Sequence, residues 1–438
     1  MTETEPGPAL AAGTGATRRA HGRAVLAVAV VFTASGVAMA SAVSRMPQIK
    51  LQVQATTTEL AFALVCVGIG SVVAMPFAGR MVQRFSTAGV CRTFAAVALI
   101  GWSLVPLARS VPELAAILLF TGAGVGVWDV AMNVQGSIVE RRRGQVLMPL
   151  WHGLFSVGGV VGAIAGAGAA RWGVALGWQL PVVAGVLLVI VLAECARFLP
   201  NPAPDPPASS ASHPAVADDA PGGAQPGAAG AAGSGTAATP RSPSPVRSSI
   251  TRTEVLLGLI TLGTALGEGA ANDWLAIALV DGRGAPAAIG ALTYAGFNLT
   301  MAIGRFCGGP LIARFGRVPA LRAAGLIAAG GIVLLCLMPG AGIALVAALA
   351  WGLGLAIVFP SAMSAAGEVP GRGGRAIATV STIGYGGFLL GAPMIGLLSH
   401  VMPLLRALLA VAAFAILIVV LAPAARERHE EPRVVGRG

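Results

Sequence analysis

Three acidic side chains lie deep within apolar stretches of the sequence, where charged residues are rare. Asp129 lies in one such stretch, and Glu268 and Asp273 lie together in another. A charge in the hydrocarbon of a membrane costs at least ~2.5 kcal/mol, so these residues normally face a water-filled cavity and bind a solute or a proton. We therefore predict that the three carboxyl groups line a polar path.

Further polar residues share helical faces with these carboxyl groups. Side chains four positions apart lie on one face of a helix. Amides both donate and accept hydrogen bonds, which suits a polyhydroxylated or zwitterionic solute. Four pairs have this spacing: Asp129 with Asn133, His152 with Ser156, Glu268 with Asn272, and Tyr294 with Asn298, whose helix also carries Arg305. The predicted substrate-binding residues are Asn133, Ser156, Asn272, Asp273, Tyr294 and Asn298.

The composition indicates the environment of these residues. Of 438 residues, 55% are hydrophobic and 11% are charged, whereas soluble domains contain about 25% charged residues. The mean hydropathy is +0.80. The net charge of +11 resides mainly between apolar segments, as is typical of membrane topology signals rather than of nucleic-acid binding. This excludes a soluble enzyme and predicts an integral membrane protein.

Apolar runs of helix length recur along the chain. About 20 apolar residues cross a bilayer as a helix, and the runs lack the alternation of a β-barrel. We predict an all-α membrane protein with twelve transmembrane helices, at residues 23–44, 58–78, 89–108, 112–134, 147–170, 176–198, 253–277, 285–307, 320–338, 341–364, 375–399 and 403–423.

A segment of different composition divides these helices six and six. Residues 199–250 are rich in Pro, Ala, Gly and Ser and contain no aromatic residue, which predicts a disordered linker. The predicted organisation is an N-terminal tail at 1–22, a six-helix bundle at 23–198, the linker at 199–250, a second bundle at 251–424 and a C-terminal tail at 425–438.

The basic residues predict the orientation of the helices. With the N-terminus in the cytoplasm, the inside segments hold 22 of the 29 Lys and Arg residues. The positive-inside rule therefore predicts that both termini are cytoplasmic. The outside segments hold six: Arg45, Lys50, Arg109, Arg171, Arg283 and Arg406.

This orientation brings two titratable residues to the same side of the membrane. Asp129 comes late in an inward-running span and His152 comes early in the next span, so they can be neighbours across a helix hairpin. Histidine titrates near neutral pH and can exchange protons with a nearby carboxylate. We predict Asp129 as the proton-coupling carboxylate, His152 as its partner and Glu268 as a further proton-coupling residue.

The two halves repeat each other. Residues 79–85 and 309–315 have similar sequences 230 positions apart, and each stretch follows the second span of its half. Glu140 and Glu368 are 228 positions apart, as are the Gly-x-Gly stretches that begin at Gly124 and Gly352. Two parallel six-helix repeats with a binding site between them are the architecture of many secondary transporters.

These loops resemble the signature of the major facilitator superfamily, Gly-x-Leu-x-Asp-Arg-x-Gly-Arg. Residues 309–317 match it except for Ala313 in place of Asp, and residues 79–86 match it less closely. The resemblance implies cytoplasmic gating loops that contain Gly79, Arg84, Gly309, Arg314 and Arg317. Because neither loop has the acidic residue, the arginines have an alternative role in topology or in contact with anionic lipid.

Three further stretches resemble the bacterial YbjJ-like group, which is related to fucose-permease-like carriers. They are residues 129–136, residues 148–153 with Ser156, and residues 268–274. In the fucose-permease-like relatives a Glu in the fourth helix couples protons, and it corresponds to Asp129 here. Their acidic residue in the first helix has no counterpart in residues 23–44.

We therefore predict a secondary active transporter of a small polar solute, either sugar-like or another metabolite. It is predicted to be proton-coupled, to work by alternating access and to lie in the bacterial inner membrane. Proton-driven efflux of amphipathic compounds is the alternative, and a sensor or scaffold that transports nothing is the alternative of another class. The five His residues are too scattered for a metal cluster, and no phosphate-binding loop is present. We expect no enzymatic activity, cofactor, metal or nucleic-acid partner, and a monomer in contact with membrane lipid.

Overall fold

The computed structural model describes residues 8–145, 147–201, 250–370 and 372–427. Most of the predicted linker and the end of the C-terminal tail lie outside the described residues. The helices are α1 Pro8–Val43, α2 Met46–Gln52, α3 Thr57–Phe85, α4 Thr87–Leu104, α5 Val111–Arg143, α6 Met148–Arg171, α7 Leu176–Cys195, α8 Arg252–Arg283, α9 Ala287–Phe315, α10 Arg317–Leu337, α11 Ala341–Leu355, α12 Val358–Gly367, α13 Gly373–Val401, α14 Leu404–Ala407 and α15 Leu409–Leu421.

Within the described residues, twelve helical stretches are long and apolar enough to cross a membrane. They confirm the predicted all-α fold, with four differences in detail, one of which is the division of the twelfth span into α14 and α15. The tenth span is divided into α11 and α12, because Pro360 has no N–H to continue the helical hydrogen bonds of the preceding turn. The short helix α2 occupies the first connection, and α1 begins at Pro8, before the first apolar run.

The packing of the helices repeats from one half to the other. In the N-terminal half, α1 packs on α6, α3 on α5, and α4 on both α5 and α7. In the C-terminal half the corresponding pairs are α8 with α13, α9 with α11, and α10 with α11 and α15. The halves meet where α6 packs on α9 and α3 packs on α13. Exchanging the two halves exchanges these two contacts, so the repeat in sequence is a repeat in structure.

Small residues allow the closest helix pairs to form. On α6, a Cβ atom at Gly158 or Gly162 would collide with the carbonyl oxygens of Thr33 and Val37 on α1. Two membrane helices can approach this closely only where small residues face the neighbouring backbone. The glycine-rich face of α6 therefore docks on α1, and the remaining surface of α6 is available to α9.

The turn after the second span of each half has a similar backbone conformation in both halves. Gly316 has φ 81° between α9 and α10, and Ser86 has φ 71° between α3 and α4. Only glycine adopts this backbone region without strain. The Ser86 hydroxyl offsets part of the cost, because it accepts a hydrogen bond of 3.2 Å from the Gly89 N–H and caps α4.

Candidate functional site

Arg305, near the middle of the spans, links the two halves. It extends from α9, and its Nη1 donates a hydrogen bond of 2.6 Å to Ser156 Oγ on α6 of the other half. Its Nη2 contacts both carboxylate oxygens of Glu268 on α8, at 3.2 and 3.3 Å. The side chains of Arg305 and Glu268 are 16% and 18% exposed, so solvent reaches an ion pair located midway along the helices.

His152 belongs to the same region of the interface. It lies one turn before Ser156 on α6, is exposed and interacts electrostatically with Arg305. The edge of its ring contacts Phe32 of α1, with ring centroids 5.2 Å apart. A guanidinium, an imidazole and a hydroxyl group therefore line one surface between the halves, and a carboxylate completes it.

Asp129 forms a second polar group on α5. The side-chain amide of Asn133 donates to the Asp129 carbonyl oxygen at 2.8 Å and to its carboxylate at 3.1 Å. Tyr385 of α13 is close enough to interact electrostatically with Asp129, and it is 47% exposed. Asp129 is therefore within electrostatic range of a residue of the opposite half.

Asp129 and His152, expected to be neighbours, have different partners. Among the described residues, no hydrogen bond or ion pair joins their side chains, because α6 packs along α1 and α9 and meets α5 only slightly. A short loop joins α5 to α6, but the small residues of α6 direct it onto α1. The two spans therefore do not pack along their length.

Three of the predicted binding residues form a buried polar contact between α8 and α9. Tyr294 Oη donates a hydrogen bond of 2.9 Å to Asn272 Oδ1, and Asn298 Nδ2 donates one of 3.0 Å to the Tyr294 carbonyl oxygen. All three are at most 9% exposed. Asp273 is half-buried and, like Glu268, acts electrostatically on Tyr294. Asn272, Tyr294 and Asn298 are therefore buried at the contact of α8 and α9 rather than lining the open surface that carries the exposed His152.

The predicted loop residues divide into two groups. Gly79, Gly309, Arg84 and Arg314 are exposed, and the two arginines stack on the neighbouring aromatic rings of Phe85 and Phe315 at 5.3 and 5.4 Å. Stacking beside an exposed ring leaves a guanidinium free to meet anionic lipid.

Arg317 is buried and differs from these four residues. It pairs with Glu368 at 2.6 and 2.9 Å and donates to the Ala425 carbonyl oxygen at 3.2 Å. Its partners all belong to the C-terminal half, so it fastens the start of α10 to the end of α12 within that half.

Further contacts join the two halves at the end of the bundle where α2 lies. Lys50 forms an ion pair with Asp281 at the end of α8. Thr58 Oγ1 at the start of α3 donates a hydrogen bond of 2.9 Å to the Gly396 carbonyl oxygen of α13. The halves are therefore closed against each other at this end.

The sequence prediction did not assign a role to two residues of the site. Arg305 shares a helical face with Tyr294 and Asn298. A charge this far from a helix end is itself a signal of function. Tyr385 has no comparable signal, because a tyrosine in an apolar span also packs as an aromatic residue.

Two relatives of the chain are membrane proteins, and one of them is a transporter by name. The chain is 29% identical over 374 residues to an uncharacterised MFS-type transporter of Yersinia pestis. The alignment covers 85% of this chain and 88% of the relative. It is 26% identical over 405 residues to the membrane protein MosC of Rhizobium meliloti, covering 90% and 88%.

Solved structures share the fold at low sequence identity. The nucleoside transporter NupG superposes with a TM-score of 0.64 at 10% identity, covering 92% of this chain and 98% of NupG. The fucose:proton symporter FucP of E. coli superposes with a TM-score of 0.58 at 16% identity, covering 92% and 98%. The profile of the Major Facilitator Superfamily matches residues 26–392. The chain, a multi-pass membrane transporter, therefore belongs to the Major Facilitator Superfamily.

Proposed function

We propose that the protein is a secondary active transporter that moves a small polar solute together with protons by alternating access. The observation that carries this proposal is the link from Arg305 of one half to Ser156 of the other, beside Glu268, at 2.6 Å. An interface that only held the halves together would be expected to be apolar, because the desolvation of charged groups opposes their burial.

Asp129 is the proposed proton-coupling residue. Its carboxyl group lies near the middle of α5, is hydrogen-bonded by Asn133 and acts electrostatically on Tyr385 of the opposite half. A group between the two halves is exposed to one side and then to the other as the halves rock, and this exposure carries a proton across. Glu268 is a second proposed proton acceptor, and His152 takes part through its position beside Arg305.

The orientation follows from the charges of the loops. With both termini in the cytoplasm of a bacterial cell, the end closed by Lys50 and Asp281 faces outward. The arrangement then corresponds to a state closed to the outside, from which the solute site exchanges with the cytoplasm. In this orientation the ends of α3 and α9 lie on the cytoplasmic side. These helix ends, rather than loops, carry Gly79, Arg84, Gly309 and Arg314.

Solute-dependent proton movement tests the proposal. The protein is reconstituted into liposomes that contain a pH-sensitive dye, and nucleosides, L-fucose, other sugars and small organic acids are added in turn. We expect one class to move protons. If none of them does so with correctly folded protein, the proposed transport function is contradicted and the sensor or scaffold is favoured.

Asp129→Asn tests the role of the carboxyl group once a solute is identified. The variant is expected to lose accumulation driven by a pH gradient but to retain exchange of labelled for unlabelled solute, because the binding residues are intact. Glu113→Gln, which alters an exposed carboxylate at the start of α5, is the matched control. Full uphill accumulation by Asp129→Asn would refute the assignment.

A further inference from the structure

The contacts of Arg305 leave part of its binding capacity unused. A guanidinium carries five N–H donors in a planar fork, which suits two parallel hydrogen bonds to one carboxylate. Here a single nitrogen is shared between both oxygens of Glu268 at 3.2 and 3.3 Å, and the other terminal nitrogen contacts Ser156. The pair is long and lacks the parallel geometry that makes such contacts strong.

Hydrogen-bond donors face the open surface at Arg305. The guanidinium has unused N–H groups, and His152 offers a ring N–H on an exposed side chain. Ser156 is 2% exposed and holds the guanidinium in place by accepting its Nη1 hydrogen bond. Glu268 provides the carboxylate on this surface, and it is already in contact with Arg305. A set of donors around one guanidinium is complementary to an anion, and the position of Glu268 shows that a carboxylate fits there.

We propose that Arg305 binds the carboxylate of the transported solute and that Glu268 occupies this position while the solute is absent. The proposal rests on the proposed transport function and narrows its polar solute to an organic acid. Because Arg305 also donates a hydrogen bond to Ser156 of the other half, binding of the acid to Arg305 is sensed by the elements that must rock.

The exchange of partners has a consequence for coupling. When the acid displaces Glu268, the freed carboxylate is only 18% exposed and has no counter-charge, and a poorly solvated charge of this kind is neutralised or paired again. Uptake of one proton by Glu268 for each bound monoanion keeps the net charge of the site constant. The proton leaves when the acid departs and Arg305 is again paired with Glu268.

Acetate is the probe for this site, because it matches the CH₂–COO⁻ group that Glu268→Ala removes. Glu268→Ala leaves a space of this size beside Arg305. The melting temperature of the purified full-length variant in detergent is followed by tryptophan fluorescence in sodium acetate and in sodium chloride at equal ionic strength. We expect a saturable increase of the melting temperature in acetate only.

Two further variants show whether Arg305 is responsible. The double variant Glu268→Ala with Arg305→Gln is expected to lose the acetate effect, and Glu113→Ala, which removes an exposed carboxylate elsewhere, is expected to show none. If Glu268→Ala does not fold, Glu268→Gln keeps the volume of the side chain and takes its place, since acetate still reaches Arg305 from the open surface.

An equal response to acetate and chloride in the Glu268 variant that folds would overturn the proposal, as would an acetate effect that persists without Arg305. The measurement requires no transport. An acetate effect in a protein that moves no solute would therefore contradict the proposed function and leave the carboxylate site standing.

Discussion

Two arginine–glutamate pairs in the C-terminal half differ in geometry and in position. Arg317 and Glu368, at the end of the helices, are joined through two nitrogens and two oxygens at 2.6 and 2.9 Å, and Arg317 also donates to Ser364 and Ala425. Arg305 and Glu268, midway along the helices, share one nitrogen at 3.2 and 3.3 Å.

The difference in geometry indicates that Arg317 and Glu368 stabilise the fold, whereas Arg305 and Glu268 can exchange partners. The fork of parallel hydrogen bonds in the first pair is the strong geometry, and all of its partners move with one half. The second pair has the weaker geometry although it lies where charge is most expensive, and its arginine contacts the other half. If both pairs were purely structural, the stronger geometry would be expected midway along the helices and the weaker geometry at the helix ends.

The largest effect is expected from Arg305→Gln. This substitution leaves Glu268 without its counter-charge and removes the contact to Ser156, and breaking such a pair costs about 3 kcal/mol or more. Solute uptake into liposomes is expected to fall by about 100-fold or more, the factor that corresponds to a transport barrier raised by about 3 kcal/mol. Uptake within about threefold of the wild type would place Arg305 outside the solute path.

Exchanging the charges distinguishes the two pairs directly. Arg317→Glu combined with Glu368→Arg is expected to recover most of the stability lost by either single variant, because both partners belong to one half. Arg305→Glu combined with Glu268→Arg is expected to remain inactive, because the arginine no longer reaches Ser156. Melting temperature and uptake rate are measured for both double variants. Recovery of uptake by Arg305→Glu with Glu268→Arg would show that the two pairs do not differ in role.

A smaller effect is expected from Arg317→Gln. Glu368 is 36% exposed and can be solvated once it loses Arg317, so the loss of hydrogen bonds is expected to cost about 1–3 kcal/mol of stability. The melting temperature should fall while the apparent affinity for the solute stays within about twofold. A large loss of affinity at unchanged melting temperature would contradict a structural role for this pair.

The smallest effect is expected at the ion pair that joins the halves at the outer end. Asp281 is 34% exposed, and exposed ion pairs contribute about 0–1 kcal/mol, so Lys50→Gln should shift the balance of closed and open states by at most about fivefold. Distances between spin labels on exposed Gln54 and Arg406, with the five native cysteines replaced, measure this balance. Lys50→Arg, which retains the charge, is the matched control and should leave the distance distribution unchanged. A shift much larger than fivefold would show that this pair controls closure.

The spans and their repeat could be predicted from particular residues, but the partners of those residues could not. Glu140 and Glu368 occupy equivalent positions in the repeat. Glu140 accepts hydrogen bonds from the N–H groups of Leu147 and Met148 at 2.6 and 2.7 Å, where α6 begins, whereas Glu368 pairs with Arg317. The repeat conserves the position of a carboxylate, and local sequence decides which donor meets it.

Arg45 shows the same limit for a loop residue. By its position it is one of the outside charges that set the topology. In the structure it is buried, its guanidinium hydrogen-bonds Gln179, and it donates a bond of 2.9 Å to the Val174 carbonyl oxygen. A count of charges indicates the side of the membrane and carries no information about which neighbouring helix a long side chain reaches.

The membrane spans, the repeat of the two halves and the polar faces of the helices could be predicted from the residues alone. These are local properties, because each membrane helix satisfies its own backbone hydrogen bonds and its spacing of side chains is constant. The folded structure was needed to show that Arg305 joins Glu268 to Ser156 and that Tyr385 lies within electrostatic range of Asp129. Such contacts depend on which helices are neighbours, and this choice is made by the packing of small residues over the whole bundle.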